Sequence, residues 1–283
     1  MVNSTFCSLP SYPSPVGNAR GPVVLQFLED QQVLAACGRH DNKDNQSCYK
    51  LVPGSTESWQ PMSGQLNGHC PLPSRTRSHY DKDSGWYVIG QDEECSLVDA
   101  DISTELYTTS QNWTKTPTVS PYPNGFARSI CSVSINKTHL MFIGGVDSET
   151  LSSSWMLDLT DYSWTPLKDL PRARESLGCT MTADNEVLVA GGLSADINKP
   201  TVYIYNIESN TWRRTDNLPD DMEWYQPVMF LWNDHPVLLE NFSSRIWRLS
   251  ENAWTRMDAY MGATFIGGWN TYSLVPNNLF KCQ

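Results

Sequence analysis

The sequence predicts an all-β fold of the propeller class, and three observations carry that prediction. Tryptophans recur at Trp59, Trp113, Trp164, Trp212 and Trp254, with gaps of 54, 51, 48 and 42 residues. Self-similarity near that period marks an array of supersecondary units, and at this length a β-propeller. Each unit is built of short apolar runs split by polar turns, four runs to a unit, which is the pattern of one blade. Two central units also end their second run in a glycine pair, Gly144-Gly145 and Gly191-Gly192.

The central units, residues 127–171 and 172–219, explain each element in turn. LMFIGG (140–145) and VLVAGG (187–192) are continuous apolar runs, as a strand covered on both faces by neighbouring blades requires. Glycine at their ends permits a turn or a backbone approach that a Cβ would obstruct. In TVYIYNI (201–207) the period is two, with Val202, Ile204 and Asn206 on one face and Tyr203, Tyr205 and Ile207 on the other. The tryptophan of the last run is then free to fill the wide outer wedge between blades, where the buried area is largest.

Four hydrophobic residues before Gly-Gly, a tyrosine-bearing strand, and a tryptophan about 20 residues after the glycines together resemble the kelch repeat. The resemblance is full over 125–220 and decayed elsewhere. Blade one keeps VLAACG, with Cys37 in place of one glycine, and CYKLVPGSTESW. Blade two keeps WYVIGQ with Gly90 alone, and blade five keeps PVLLEN and RIWRLSENAW with no glycine pair. The expected architecture is a single domain over 1–283. Its blades lie near 21–64, 65–122, 123–171, 172–223 and 224–262, with a composite blade made of 263–283 and 1–20. Pairing the two chain ends closes the ring and removes exposed sheet edges. Six blades are therefore favoured, with five as the alternative.

Composition narrows the function. The net charge of −11 disfavours nucleic acid and anionic membranes as partners. No stretch approaches the ~18 uninterrupted apolar residues of a membrane span. The eight cysteines are even in number, and Asn-X-Ser/Thr sequons stand at Asn3, Asn45, Asn112, Asn136 and Asn241. Both features favour a secreted, glycosylated, disulfide-bonded protein. The first residues, MVNSTFCSLPSYPS, hold no apolar run of the kind a secretion signal uses, which favours the cytoplasm instead. The cysteines and sequons outweigh it. Cys37 and Cys48 end one strand and begin the next, so a disulfide is expected there. Cys70–Cys95 is expected from two loops on one face of blade two, and Cys7–Cys282 from the composite blade. Cys131 and Cys179, in matching slots of adjacent inner strands, either pair or remain small buried groups.

Chemical sites are sparse. Kelch propellers include a copper oxidase family, but a copper site needs converging ligands. His40, His69, His79, His139 and His235 are scattered, and no sialidase-like Asp-box occurs. No catalytic residue, metal ligand or cofactor is assigned. The acidic stretch Asp92, Glu93, Glu94, Asp99, Asp101 and Glu105 lacks the fixed spacing of a calcium loop and reads as a solvated loop, as does DNLPDDME (216–223). Arg77, Arg128 and Arg174 recur at the entry to the innermost strand of successive units. In related kelch domains arginines of a Pro-Arg-x-Arg segment lie at the channel mouth and contact acidic partners, and 171–174 keeps that pattern. The competing reading has the arginines brace loops between blades.

The resulting expectation is a monomeric, non-enzymatic binding module recognising a protein, peptide or glycan, acidic groups included, through loops on one face. The alternatives are an extracellular propeller enzyme, oxidase or hydrolase, and the substrate-recognition domain of a larger cytosolic assembly.

Overall fold

The computed structural model describes residues 24–39, 46–53, 58–66, 76–91, 102–118, 121, 127–194, 201–222, 224–240, 245–251 and 253–257. These residues form five antiparallel four-stranded sheets, each a simple meander. Blade one is β1 (Val24–Leu28), β2 (Val33–Arg39), β3 (Gln46–Leu51) and β4 (Trp59–Leu66). Blade two is β5 (Thr76–Asp81), β6 (Gly85–Gln91), β7 (Ile102–Thr108) and β8 (Asn112–Thr118). Blade three is β9 (Cys131–Ser134), β10 (His139–Ile143), β11 (Ser154–Asp158) and β12 (Trp164–Pro166). Blade four is β13 (Gly178–Met181), β14 (Glu186–Ala190), β15 (Tyr203–Asn206) and β16 (Thr211–Arg214). Blade five is β17 (Val228–Trp232), β18 (His235–Leu239), β19 (Ile246–Ser250) and β20 (Ala253–Arg256). The chain divides into two compact units, the first with blades one and two and the second with blades three to five. The segments 1–20 and 263–283, expected to make a sixth blade, lie outside the described residues. Five blades are therefore described where six were favoured.

Turn chemistry sets the hairpins. Asn233 and Asp234 both take positive φ, 48° and 63°, between the paired residues Trp232 and His235. A two-residue loop with both residues left-handed matches the twist of its strands, and Asn and Asp tolerate that conformation best. Asp158 and Asn206 instead cap their turns, accepting the amides of Thr160 and Ser209 at 2.8 Å each.

Strand alternation then builds the layers between blades. In the first unit, Val24, Val33, Ala35 and Cys37 meet Trp86, Val88 and Tyr107. The Cys37–Cys48 bond lies in this layer, between residues directly opposite on β2 and β3, Cα atoms 4.1 Å apart. In the second unit, Cys131, Met141 and Ile143 of blade three pack against Cys179, Val187, Val189, Tyr203 and Tyr205 of blade four. Blade four turns Leu188, Ala190, Val202 and Ile204 toward Met229, Leu238 and Trp247 of blade five. The alternation in 201–207 thus serves two different interfaces. Burying each such aliphatic side chain contributes about 1.5–3 kcal/mol. The fourth-strand tryptophans close the layers at the rim, with Trp212 4.9 Å from the Tyr205 ring and Trp164 5.0 Å from Phe142. Trp212 also donates its Nε1 proton to the Lys168 carbonyl at 2.8 Å, tying blade four to the connection that leads into it.

Cys131 and Cys179 are bonded, with Cα atoms 6.1 Å apart, but they do not occupy matching slots. Cys131 lies opposite Ile143, the residue before the glycine pair of its blade. The equivalent residue in blade four is Gly178, opposite Ala190, so Cys179 stands one position later. Successive strand residues point to opposite faces. Matching slots would aim both thiols in the same direction around the array, whereas the offset aims Cys131 forward and Cys179 back into one interface.

Candidate recognition surface

In blades three and four the loop after the second strand meets the segments leading into the innermost strands. This end of the second unit is built from backbone. Gly144 and Gly191 take φ of +63° and +70°. A Cβ on Gly144 would lie 2.4 Å from the carbonyl oxygen of Arg174, and one on Gly191 2.4 Å from that of Trp224. The following amides make the joint, Gly145 donating to the Arg174 carbonyl at 2.7 Å and Gly192 to that of Trp224 at 2.8 Å. The glycine pairs of blades three and four are therefore the seats for the entry segments of the blades that follow them.

A second backbone series runs beside it. Ser129, Ser176 and Gln226, each two residues before its inner strand, have φ of 52°, 57° and 49°. The Ser176 amide donates to the Ser129 carbonyl at 2.8 Å, and the Gln226 amide to the Ser176 carbonyl at 3.1 Å. Left-handed backbone at a non-glycine residue carries strain, and here each instance is held by a bond to a neighbouring blade.

The three arginines singled out in the sequence share no slot on this frame. Arg77 lies within β5 opposite Ile89, the place Cys131 holds in blade three, and is half-buried. Arg128 precedes β9, its backbone bridged to Val146 by bonds of 2.8 Å in both directions. Its half-buried guanidinium has no bonding partner among the described residues. Arg174 is 3% exposed. Its Nη1 donates to the Gly191 carbonyl at 2.8 Å, its Nη2 donates to Thr201 Oγ1, and its guanidinium lies 5.9 Å from the Tyr203 ring centroid. These contacts clasp both ends of the loop between β14 and β15. Burial holds its pKa below the usual guanidinium value; Tyr203 opposes that shift, and the like charges of Arg172 and Arg214 add to it.

Blade five solves the same problem without glycine. Glu240, fully buried, follows β18 where the other blades have their first glycine. Its carboxylate accepts from Arg245 Nε at 2.7 Å and from Trp247 Nε1 at 2.7 Å. Arg245 Nη2 also donates to the Asp221 carbonyl at 2.6 Å, so the loop base is held by a buried ion pair. The sequence reading missed this arrangement; its one signal was the acid in PVLLEN where an apolar run should end.

Other assigned residues are placed as follows. Glu105 is not in a loop but buried in β7, opposite Val88. Asn112, the first residue of β8, and Asn136, in the turn between β9 and β10, are exposed at the end of their blades away from the loop after the second strand. The Asn136 carboxamide oxygen accepts the Thr138 amide at 2.9 Å. His79 is buried and stacked on Tyr87, and His139 Nε2 lies 3.4 Å from Asp158. Among the described residues no group of three or more His, Cys, Asp or Glu side chains converges as a metal site. Cys7, Cys70, Cys95, Cys282, Asn3, Asn45, Asn241, His40, His69, Asp92, Glu93, Glu94, Asp99 and Asp101 lie outside the described residues.

Residues 178–219, which span blade four, match the kelch motif. A solved structure titled "Structure of YjhT" superposes with a TM-score of 0.60 at 14% identity, covering 88% of this chain and 86% of that one. At that identity the likeness speaks for the fold alone. With the meander sheets and this structural likeness, the chain has a β-propeller fold, and its fourth blade carries a kelch motif.

Proposed function

We propose that this protein is a monomeric, non-enzymatic binding module whose partner, a protein, peptide or glycan bearing acidic groups, docks on the loops at the Gly-Gly end of the blades. The observation that carries this reading is Arg128. Its main chain is fixed by the Val146 bridge, while its guanidinium has no bonding partner among the described residues of a chain with net charge −11. A guanidinium held in place and left without a carboxylate is a ready partner for one. Arg174 serves it by fixing the loop base, and Arg77, in the first unit, is proposed as a separate contact. The setting we propose is extracellular. Two disulfides among the described residues support it, as do exposed sequon asparagines at Asn112 and Asn136, which would carry glycans away from the docking end. The chain termini, 1–20 with 263–283, would supply a sixth blade.

The test is a binding screen of purified protein on peptide and glycan arrays, with Arg128→Gln and Arg77→Gln run beside it. Loss of captured ligands at unchanged melting temperature is the expected result. An unchanged array pattern in a stable double variant would remove the site. Turnover in a parallel oxidase and hydrolase screen would overturn the non-enzymatic reading.

A further inference from the structure

Two opposite charges, Arg128 and Glu175, hold the same slot in blades three and four. Each is bridged to the residue that follows its blade's glycine pair. Arg128 meets Val146 through two bonds of 2.8 Å, and Glu175 meets Leu193 through bonds of 3.0 and 2.8 Å. Each is followed by a left-handed serine, Ser129 or Ser176, and the Ser176 amide donates to the Ser129 carbonyl at 2.8 Å. The two slots thus lie on either side of one backbone hydrogen bond, which sets neighbouring chains roughly 5 Å apart. Equal backbone pairing launches the two side chains alike from their blades.

Both main chains are fixed and both side chains are half-buried. Neither the Arg128 guanidinium nor the Glu175 carboxylate has a bonding partner among the described residues, and the two do not pair with each other. Their adjacency restricts what can bind. A ligand carrying only carboxylates meets Glu175 beside Arg128, and one carrying only cations meets Arg128 beside Glu175. A like charge in the neighbouring slot rejects the wrong partner. A ligand with both signs side by side satisfies both slots. Leu193, bridged to Glu175 and 36% exposed, adds an apolar surface next to the carboxylate.

We propose that Glu175 determines specificity at the docking end: beside Arg128 it selects an extended peptide segment whose acidic and basic side chains alternate on one face, and it rejects a polyanion. The proposal rests on Arg128 being the docking residue, as in the reading above, and adds the requirement for a cation beside the acid. In an extended chain, residues two apart share a face, with side chains roughly 7 Å from each other. Arg128 and Glu175 reach that separation from neighbouring slots on their own flexible stems. A lysine of the ligand then meets the Glu175 carboxylate and lays its aliphatic stem on Leu193. The acid two residues away takes the Arg128 fork.

The experiment measures fluorescence anisotropy of three labelled octapeptides on the whole protein at low salt: a Glu-Ser-Lys-Ser repeat, a Glu-Ser repeat and a Lys-Ser repeat. Wild type is expected to bind the mixed repeat at least fivefold more tightly than either single-sign repeat. Glu175→Gln should weaken the mixed repeat and tighten the Glu-Ser repeat, so that the preference disappears. Arg128→Gln should weaken the mixed repeat and tighten the Lys-Ser repeat. If wild type binds the Glu-Ser repeat as tightly as the mixed one, and Arg128→Gln abolishes both, the docking reading stands and this inference falls. If wild type binds none of the three, prefers the Lys-Ser repeat, or binds regardless of both substitutions, both fall. Melting temperatures of the two single variants and of the double variant separate recognition from bracing. All three are expected to stay near wild type. If each single change lowers the melting temperature and the double change restores it, the two charges stabilise each other and the proposal is overturned.

Discussion

Cys131 and Cys179 bond across the interface of blades three and four because they stand one residue out of register with each other. The bond closes a span of 48 residues, whereas Cys37–Cys48 closes a span of 11 within one hairpin. In the chain-entropy view, the longer loop restrains the unfolded chain more, by about 1 kcal/mol. Replacing Cys131 and Cys179 by Ser should therefore destabilise more than the same change at Cys37 and Cys48. Urea midpoints of the two double variants decide it. The reverse order would mean that the hairpin bond contributes mainly through native packing.

The glycine pairs give the second prediction. Gly144→Ala would place a Cβ 2.4 Å from the Arg174 carbonyl oxygen at a φ of +63°. Both the left-handed backbone and the close backbone atom oppose it, and a cost of about 2–4 kcal/mol is expected. Gly191→Ala should cost a similar amount through the Trp224 carbonyl, also 2.4 Å away. Denaturation of the two single variants measures this. A loss below about 0.5 kcal/mol, the range of an ordinary surface change, would show that the joint between blades is not tight.

Blade five answers to a different substitution. Glu240→Ala leaves Arg245 Nε and Trp247 Nε1 without the carboxylate that each reaches at 2.7 Å. Breaking one side of a buried ion pair costs about 3–5 kcal/mol. Trp247→Phe removes only one donor and should cost less. The two variants, compared by thermal unfolding, must fall in that order if the acid replaces glycine as the loop's anchor.

These joints show what was legible in the residues alone. Apolar runs and tryptophan spacing are properties of single strands, so the meander sheets and the two-sided use of Tyr203 and Ile204 could be read directly. The slot of a residue is a relation between blades, and spacing along the chain measures it only to within a residue or two. A shift of one exchanges the faces, which is why Arg77, Arg128 and Arg174 looked equivalent and are not. It is also why Cys131 and Cys179 looked matched. The Glu240 anchor was hidden for another reason: a buried acid is identified only by its partners, and Arg245 reaches it from across a loop.

Alkaline pH probes the link between blades one and two. Tyr80 donates its hydroxyl proton to Asp30 Oδ1 at 2.7 Å. Burial first, and then this bond, push its pKa up to about 12 from an ordinary value of 10.0. A raised folded pKa means that the folded state keeps a proton the unfolded chain has lost. The contribution is therefore full below pH 10.0 and disappears as pH rises toward about 12. Stability of the wild type should fall through that window, and Tyr80→Phe should remove this share of the slope. Urea midpoints at successive alkaline pH values, with an ultraviolet titration of the phenols, test it. An identical slope in Tyr80→Phe would refute it.

Arg174 separates bracing from recognition. Its side chain is 3% exposed and clasps Gly191 and Thr201, so a partner cannot reach it without opening the blade. Arg174→Ala removes donors from a buried carbonyl and hydroxyl, at a cost of about 1–3 kcal/mol for each group left unpaired, and strips the cation from the Tyr203 face. The melting temperature should drop clearly, and any loss of ligand binding should track the unfolded fraction. Arg128→Gln should do the opposite, because its guanidinium has no bonding partner among the described residues. Stability is then expected to stay within about 0.5 kcal/mol of wild type while binding falls. The two variants must be measured for both quantities below their melting temperatures. If Arg174→Ala is as stable as wild type, its clasp on the β14–β15 loop is dispensable, and the loop base must be held by the backbone bonds of Gly192 and Trp224 alone.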